Sequence, residues 1–198
     1  ADMPKITGDS IAEHVAAQET AVIGATVALF AERGAVNVTM ADIAGEVGLA
    51  RTSVYRYFPT KGAIVARWFE TAIKPIIESG NRIAADDADP QLRLGRWVEA
   101  QLTFLAHDEH QAMIAAARDL DDMPEDVRLS IGARHRELYA SLRRILGELS
   151  GPVDDAVVEA RVFMITGLLA GFGDLLDTGM NDARCRAEMQ RVARCIAG

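Results

Sequence analysis

Residues 39–61, TMADIAGEVGLARTSVYRYFPTK, constrain this chain more than any other stretch. Thr39 stands three residues ahead of Asp42, an acidic variant of the capping box that opens a helix. Gly48 supplies the turn that ends that helix, and a third helix follows from about Arg51 to Tyr57. Pro59-Thr60 closes the third helix, with Thr60 placed to cap a fourth. Ile43, Val47, Leu49, Val54 and Phe58 give the two short helices one apolar underside, to be packed under Leu29, Phe30 and Ile64. Arg51, Thr52, Ser53, Tyr55, Arg56 and Tyr57 are left for the outer surface.

Charge sharpens this reading. From Val47 to Lys61 there are three cations and no acid, in a chain whose net charge is -8. Residues 1–62 carry five cations against seven acids, and the rest carry sixteen against twenty-two. The acidic excess therefore sits in the later two-thirds, where it repels phosphate, and any nucleic-acid surface belongs to the first third. A helix of this kind fits the DNA major groove as the second helix of a helix-turn-helix. Arginine can present two donors to guanine, and Ser, Thr and Tyr hydroxyls can bond phosphates or base edges. Lys61 and Thr39, each at a helix start, are placed to meet phosphate where free N–H groups already attract anions.

The rest of the chain also reads as helix. Alternating strand patterns are absent, and Ala, Leu, Arg and Glu dominate. Residues 1–9 read as a loose arm. Apolar residues from Ser10 onward (Ile11, Val15, Val22, Leu29, Phe30) recur at helical spacing up to Gly34. The fourth helix runs from Thr60 with a kink expected at Pro75, and Asn81–Asp89 is expected to be a loop. Asp89-Pro90 opens a helix to about Ala106, and a shorter one spans about Glu109–Leu120. Pro124 opens a long helix ending near Leu149, Ser150-Gly151-Pro152 breaks the chain, and Val153–Asp177 and Asp182–Ala197 complete about nine helices. The longest apolar runs, Ala21–Ala31 and Met164–Gly173, fall short of the roughly 18 residues of a membrane span. Cys185 and Cys195 are expected as free thiols of a reducing cytoplasm.

The pattern Phe30, Gly34, Thr39, Ile43-Ala44, Val47-Gly48-Leu49, Ser53-Val54-Tyr55-Arg56-Tyr57-Phe58 and Lys61 closely resembles the DNA-binding domain of the tetracycline-repressor (TetR) family over residues 10–75. The resemblance implies an all-α homodimer with an N-terminal three-helix DNA-binding domain and a C-terminal six-helix ligand-binding and dimerisation domain. On this chain that gives an arm at 1–9, a helix-turn-helix domain at 10–60 and a second domain at 61–198. Carried over by position, Thr39, Arg51, Thr52, Ser53, Tyr55, Tyr57 and Lys61 would contact DNA, with Arg56 at a variable, often base-reading position. Met40 and Ala41 stand where relatives often place polar or basic residues, which shifts weight to Arg51, Arg56 and Lys61.

For an effector pocket the candidates combine bulk with polar handles. Trp97, Gln101 and Phe104 share one face, Met113, Ala117 and Arg118 another, and His135, Tyr139 and Leu142 form a stripe, with Phe163 or Met164 closing the cavity. Such a mixture suits a small, largely apolar effector, with an acidic group for Arg118 or His135. Gly167, Leu168, Gly171, Phe172 and Leu175 are the candidate dimer contacts. Glycines there permit close approach of another helix, and an internal neighbour would serve as well as a second copy. His107-Asp108-Glu109-His110 has two imidazoles at metal-ligand spacing but no third or fourth ligand, and reads as a polar turn. No metal or cofactor is expected. Nucleophile elbow, P-loop, dinucleotide and HExxH patterns are absent, which argues against an enzyme. The expected function is a cytoplasmic, ligand-responsive regulator that binds double-stranded operator DNA as a homodimer and does not engage a membrane. An activator, or a helical binding module without DNA, stands as the alternative.

Overall fold

The computed structural model describes residues 8–120, 125–151 and 154–198. Among the described residues there is no strand. The helices are α1 (Gly8–Arg33), α2 (Met40–Glu46), α3 (Arg51–Tyr57), α4 (Lys61–Ala85), α5 (Pro90–Leu105), α6 (Asp108–Asp119), α7 (Glu125–Ser150), α8 (Asp155–Ala170), α9 (Phe172–Asp177) and α10 (Asp182–Ala197), with a 3-10 turn at Ala35–Asn37. The chain forms two compact units. One comprises residues 1–68 with 112–127, and the other 69–111 with 128–198. Most of the arm expected at 1–9, the proline expected to open a helix at 124, and Pro152 of the expected break lie outside the described residues.

In the first unit, Val22, Thr26, Leu29 and Phe30 recur on one face of α1 and are all buried. The buried Thr26 hydroxyl donates to the carbonyl of Val22 at 2.8 Å, so no polar group is stranded. α1 stops where Gly34 takes a φ of 76°, with the Gly34 amide closing onto Phe30 O at 2.8 Å. α1 packs on α2 and α2 on α3. Ile43, Ala44, Val54 and Phe58 are buried, while Val47 and Leu49 are only half-buried. Full burial of a side chain the size of Ile43 or Phe58 contributes about 1.5–3 kcal/mol against the entropy of ordering these short helices. Met40 is buried too. It therefore adds to the core and is not a surface position short of a phosphate contact.

In the second unit α10 packs on α5 and α8. Arg186 of α10 reaches Glu99 Oε1 at 2.7 Å and Asp182 Oδ1 at 2.9 Å, and Gln190 Nε2 donates to Gly95 O at 2.9 Å. Gly80, Trp97 and Ser141 meet at a point where α4, α5 and α7 come together. A Cβ on Gly80 would lie 2.7 Å from Ser141 Oγ and 3.1 Å from Trp97 Nε1. The Trp97 indole N–H donates to Ser141 Oγ at 2.8 Å, and that hydroxyl donates to Leu138 O at 2.7 Å. The buried Arg93 guanidinium donates to Ala84 O at 2.9 Å and pairs with Glu148 through both nitrogens, tying the end of α4 to α5 and α7.

Three expectations change here. The loop expected at 81–89 is helical to Ala85, because Ala84 prolongs the buried row of Ile73, Ile77 and Gly80. The apolar helix expected at 153–177 is interrupted at Gly171, after which α9 begins. Ile11–Arg33 and Asp155–Asp177 are each long and apolar enough to cross a membrane by length and composition, with mean hydropathy 1.2 and 1.5. The first supplies the core of the first unit through Val22, Val27, Leu29 and Phe30, and the second is broken at Gly171.

Candidate nucleic-acid interface

The Thr39 capping box forms as the sequence requires. The Asp42 amide donates to Thr39 Oγ1 at 3.2 Å, and the Asp42 carboxylate accepts from the Thr39 amide at 2.7 Å and its hydroxyl at 2.5 Å. Those hydrogen bonds hold the Asp42 carboxyl below the usual carboxylate range. Gly48 turns the chain at φ 66°, a left-handed conformation, although no atom lies within 4 Å of where its Cβ would be. The constraint there is conformational, not steric. The Leu49 amide bonds back to Ala44 O at 2.9 Å, and α3 starts from Ala50 without a side-chain cap.

α3 buries Val54 and leaves Arg51, Thr52, Tyr55 and Arg56 exposed, with Ser53 and Tyr57 half-buried. Arg51 Nη2 donates to the Tyr55 hydroxyl at 3.1 Å, and its guanidinium sits 5.3 Å from the Tyr55 ring centroid. Arg56 lies 5.6 Å from the Tyr57 ring centroid. Among the described residues neither arginine is paired with a carboxylate. Aromatic faces hold both cations without neutralising them, so their charge stays available to an outside anion.

The Lys61 ammonium is part-buried and donates to Ala35 O at 2.6 Å and Val38 O at 2.8 Å. Two of its three donors are thus spent on backbone carbonyls.

The residues expected around an effector divide between the two units. Met113 and Arg118 belong to the first, and Trp97, Gln101, Phe104, His135, Tyr139 and Phe163 to the second. Trp97 and Met113 are fully buried, Trp97 in the Gly80–Ser141 junction. Gln101 is buried, and its Nε2 lacks a hydrogen-bond partner among the described residues. Phe104 stacks on His110 at 4.2 Å. The His135 ring lies 5.3 Å from Phe69 and 5.8 Å from Tyr139, and burial raises the Tyr139 hydroxyl above its usual value. Arg118 is an exposed side chain paired with its neighbour Asp119 at 3.0 Å, not a buried handle. Phe163, expected to close a cavity, is 79% exposed.

Among the expected dimer contacts, Gly167 is exposed, while Leu168, Gly171 and Leu175 are half-buried. Phe172 is fully buried in its own unit with Arg186 over its ring at 5.6 Å, so its side chain is not available to a partner. Gly173 serves an internal neighbour, since a Cβ there would lie 2.7 Å from Gln111 Oε1. Val157, Phe163 and Met164 form the exposed apolar face of α8, with Ala160 and Gly167 on the same side. Val157 and Met164 could have been found from their i, i+7 spacing alone. No group able to hold a metal occurs among the described residues.

The profile for "Bacterial regulatory proteins, tetR family" matches residues 22–67. A Vibrio cholerae protein named nucleoid occlusion factor SlmA is 31% identical over 144 residues, spanning 68% of this chain and 71% of that protein. The chain belongs to the tetR family. TetR-family regulators also share its fold. PfmR from Thermus thermophilus superposes with a TM-score of 0.70 at 23% identity, covering 87% of this chain and 97% of that one. FadR from Bacillus subtilis, solved with stearoyl-CoA, gives 0.71 at 21% identity, covering 90% and 97%. All the DNA-side candidates from Thr39 to Lys61 fall inside the matched tetR segment, and every effector and dimer candidate falls outside it. The protein is a TetR-family DNA-binding regulator and not an enzyme.

Proposed function

We propose that the protein is a ligand-responsive repressor that binds a palindromic operator as a homodimer and is released by a small, largely apolar effector. The observation that carries the reading is the α3 face, where Arg51 and Arg56 stand exposed against aromatic rings and, among the described residues, pair with no carboxylate. Thr39, Thr52, Ser53, Tyr55 and Tyr57 supply hydroxyls around those cations and complete the contact set. Residues 10–60 act as the DNA-binding domain and 61–198 as the ligand-binding and dimerisation domain.

Dimerisation uses the apolar face of α8, with Val157, Phe163, Met164 and Gly167 in contact and Leu168, Gly171 and Leu175 at its margin. A Phe side chain left 79% exposed is a cost that a second copy removes. A two-fold dimer presents two recognition helices to half-sites about one helical turn apart, roughly 34–36 Å. Gln101 is the polar handle for the effector, because a buried amide without a partner is relieved by an acceptor on a ligand. The effector acts by favouring a state with lower DNA affinity. Such a protein works in the cytoplasm, away from the membrane.

Selection of duplexes from a random pool by the full-length chain tests the reading. Recovery of an inverted repeat supports it, and recovery of no duplex overturns it. A second reading, nucleoid occlusion, is favoured by the 144-residue alignment to the SlmA protein, which extends well past the DNA-binding third. Mapping the bound sites on the chromosome separates the two. A few promoter sites with altered transcripts favour the repressor, and many dispersed sites with unaltered transcripts favour occlusion.

A further inference from the structure

The segment from Gly34 to Thr39 sets the direction in which the chain enters α2. Gly34 leaves α1 at φ 76°, residues 35–37 make one 3-10 turn, and Val38 is extended and buried before the Thr39 cap. Carbonyls in so short a non-helical segment have no ladder to satisfy them and need another donor. Lys61, at the first position of α4, supplies it from 26 and 23 residues away, bonding Ala35 O at 2.6 Å and Val38 O at 2.8 Å. The backbone around Lys61 is itself fixed, since the Ala63 amide donates to Thr60 Oγ1 at 3.1 Å.

We infer that Lys61 is a positioning residue of the DNA-binding unit, pinning both ends of the 35–38 turn to the start of α4, and not a phosphate contact. This rests on the DNA-binding reading above and specifies how that surface is held. The pinned turn orients the Thr39–Asp42 cap, the cap orients α2, and α2 packs on α3. Two of the three ammonium donors are committed to these carbonyls, which leaves a phosphate the third alone.

The test compares the full-length wild-type chain with Lys61→Met and Arg51→Met, using a duplex recovered by the wild type from a random pool. A lost phosphate contact lowers the slope of log affinity against log salt by about one. Lys61→Met is expected to bind about tenfold more weakly at every salt concentration with an unchanged slope, roughly the loss expected of one charge-assisted bond. Amide exchange over residues 36–40 of the DNA-free protein should then quicken about tenfold. Arg51→Met should lose about one unit of slope with exchange at 36–40 unchanged. A Lys61→Met slope that falls by about one while exchange stays at the wild-type rate overturns the inference.

Should Lys61→Met not fold, the wild-type ammonium signals decide. The chain has three lysines, Lys5, Lys61 and Lys74. A slowly exchanging Lys61 signal already present without DNA supports the pin, and one that appears only with DNA overturns it. If the wild type recovers no duplex, the DNA-binding reading fails, while the exchange and ammonium measurements still judge the pin.

Discussion

α3 and α8 each present a face that the protomer leaves uncovered, and the two faces have opposite chemistry. α3 is seven residues long, buries Val54, and turns outward two arginines set against tyrosine rings, one of them also bonding a tyrosine hydroxyl. α8 buries Val158, Val162, Ile165 and Leu169, and turns outward Val157, Phe163 and Met164. Charge left uncompensated in an acidic chain needs an anion, and apolar area left wet needs another apolar surface. In both helices the uncovered face, not the buried one, sets what the helix can bind.

The buried side of the second unit sets the scale. Trp97→Ala should cost about 3–5 kcal/mol in urea unfolding, because it empties a fully buried site and removes the donor to Ser141. A loss under about 1 kcal/mol would show that Trp97 is not core and would return it to the effector site. Phe163→Ser should do the reverse. Protomer stability should stay within about 0.5 kcal/mol, while the dimer dissociation constant measured by sedimentation rises about a hundredfold. A variant that remains dimeric at the wild-type concentration breaks the contrast between the two sides of α8.

The smallest effect is electrostatic. Arg93 hydrogen bonding holds the Glu148 carboxyl below its ordinary value of 4.5. A lowered folded value contributes stability above the ordinary value, lost as pH falls through the lowered one. Glu148→Gln should therefore be slightly less stable than wild type at neutral pH and equal to it in acid. The difference is small because Glu148 is 45% exposed. A stability gap that persists unchanged into acid would show that the pair is not electrostatic.

The contrast also explains what could be read in advance. The DNA-side helices were legible because each boundary there is local. Thr39 with Asp42, Gly48, and Pro59 with Thr60 fix the ends whatever packs around them. Asn81–Ala85 was misread as loop because its polar composition hid Ala84, whose burial depends on distant helices. Phe172 looked like an interface residue by type, yet Arg186, from elsewhere in the chain, lies over its ring. Lys61 is the instructive case, since a cation at a helix start suits a phosphate and nothing local announces its carbonyl acceptors 23 and 26 residues away.

The central claim is that the outward face of α3 meets DNA. It is tested most directly by titrating a selected duplex with wild type and with Arg51→Met/Arg56→Met over a range of salt concentrations. The account predicts a double variant with unchanged folding, much weaker binding, and a salt slope lower by about two. Equal slopes and equal affinities for the two proteins would contradict it.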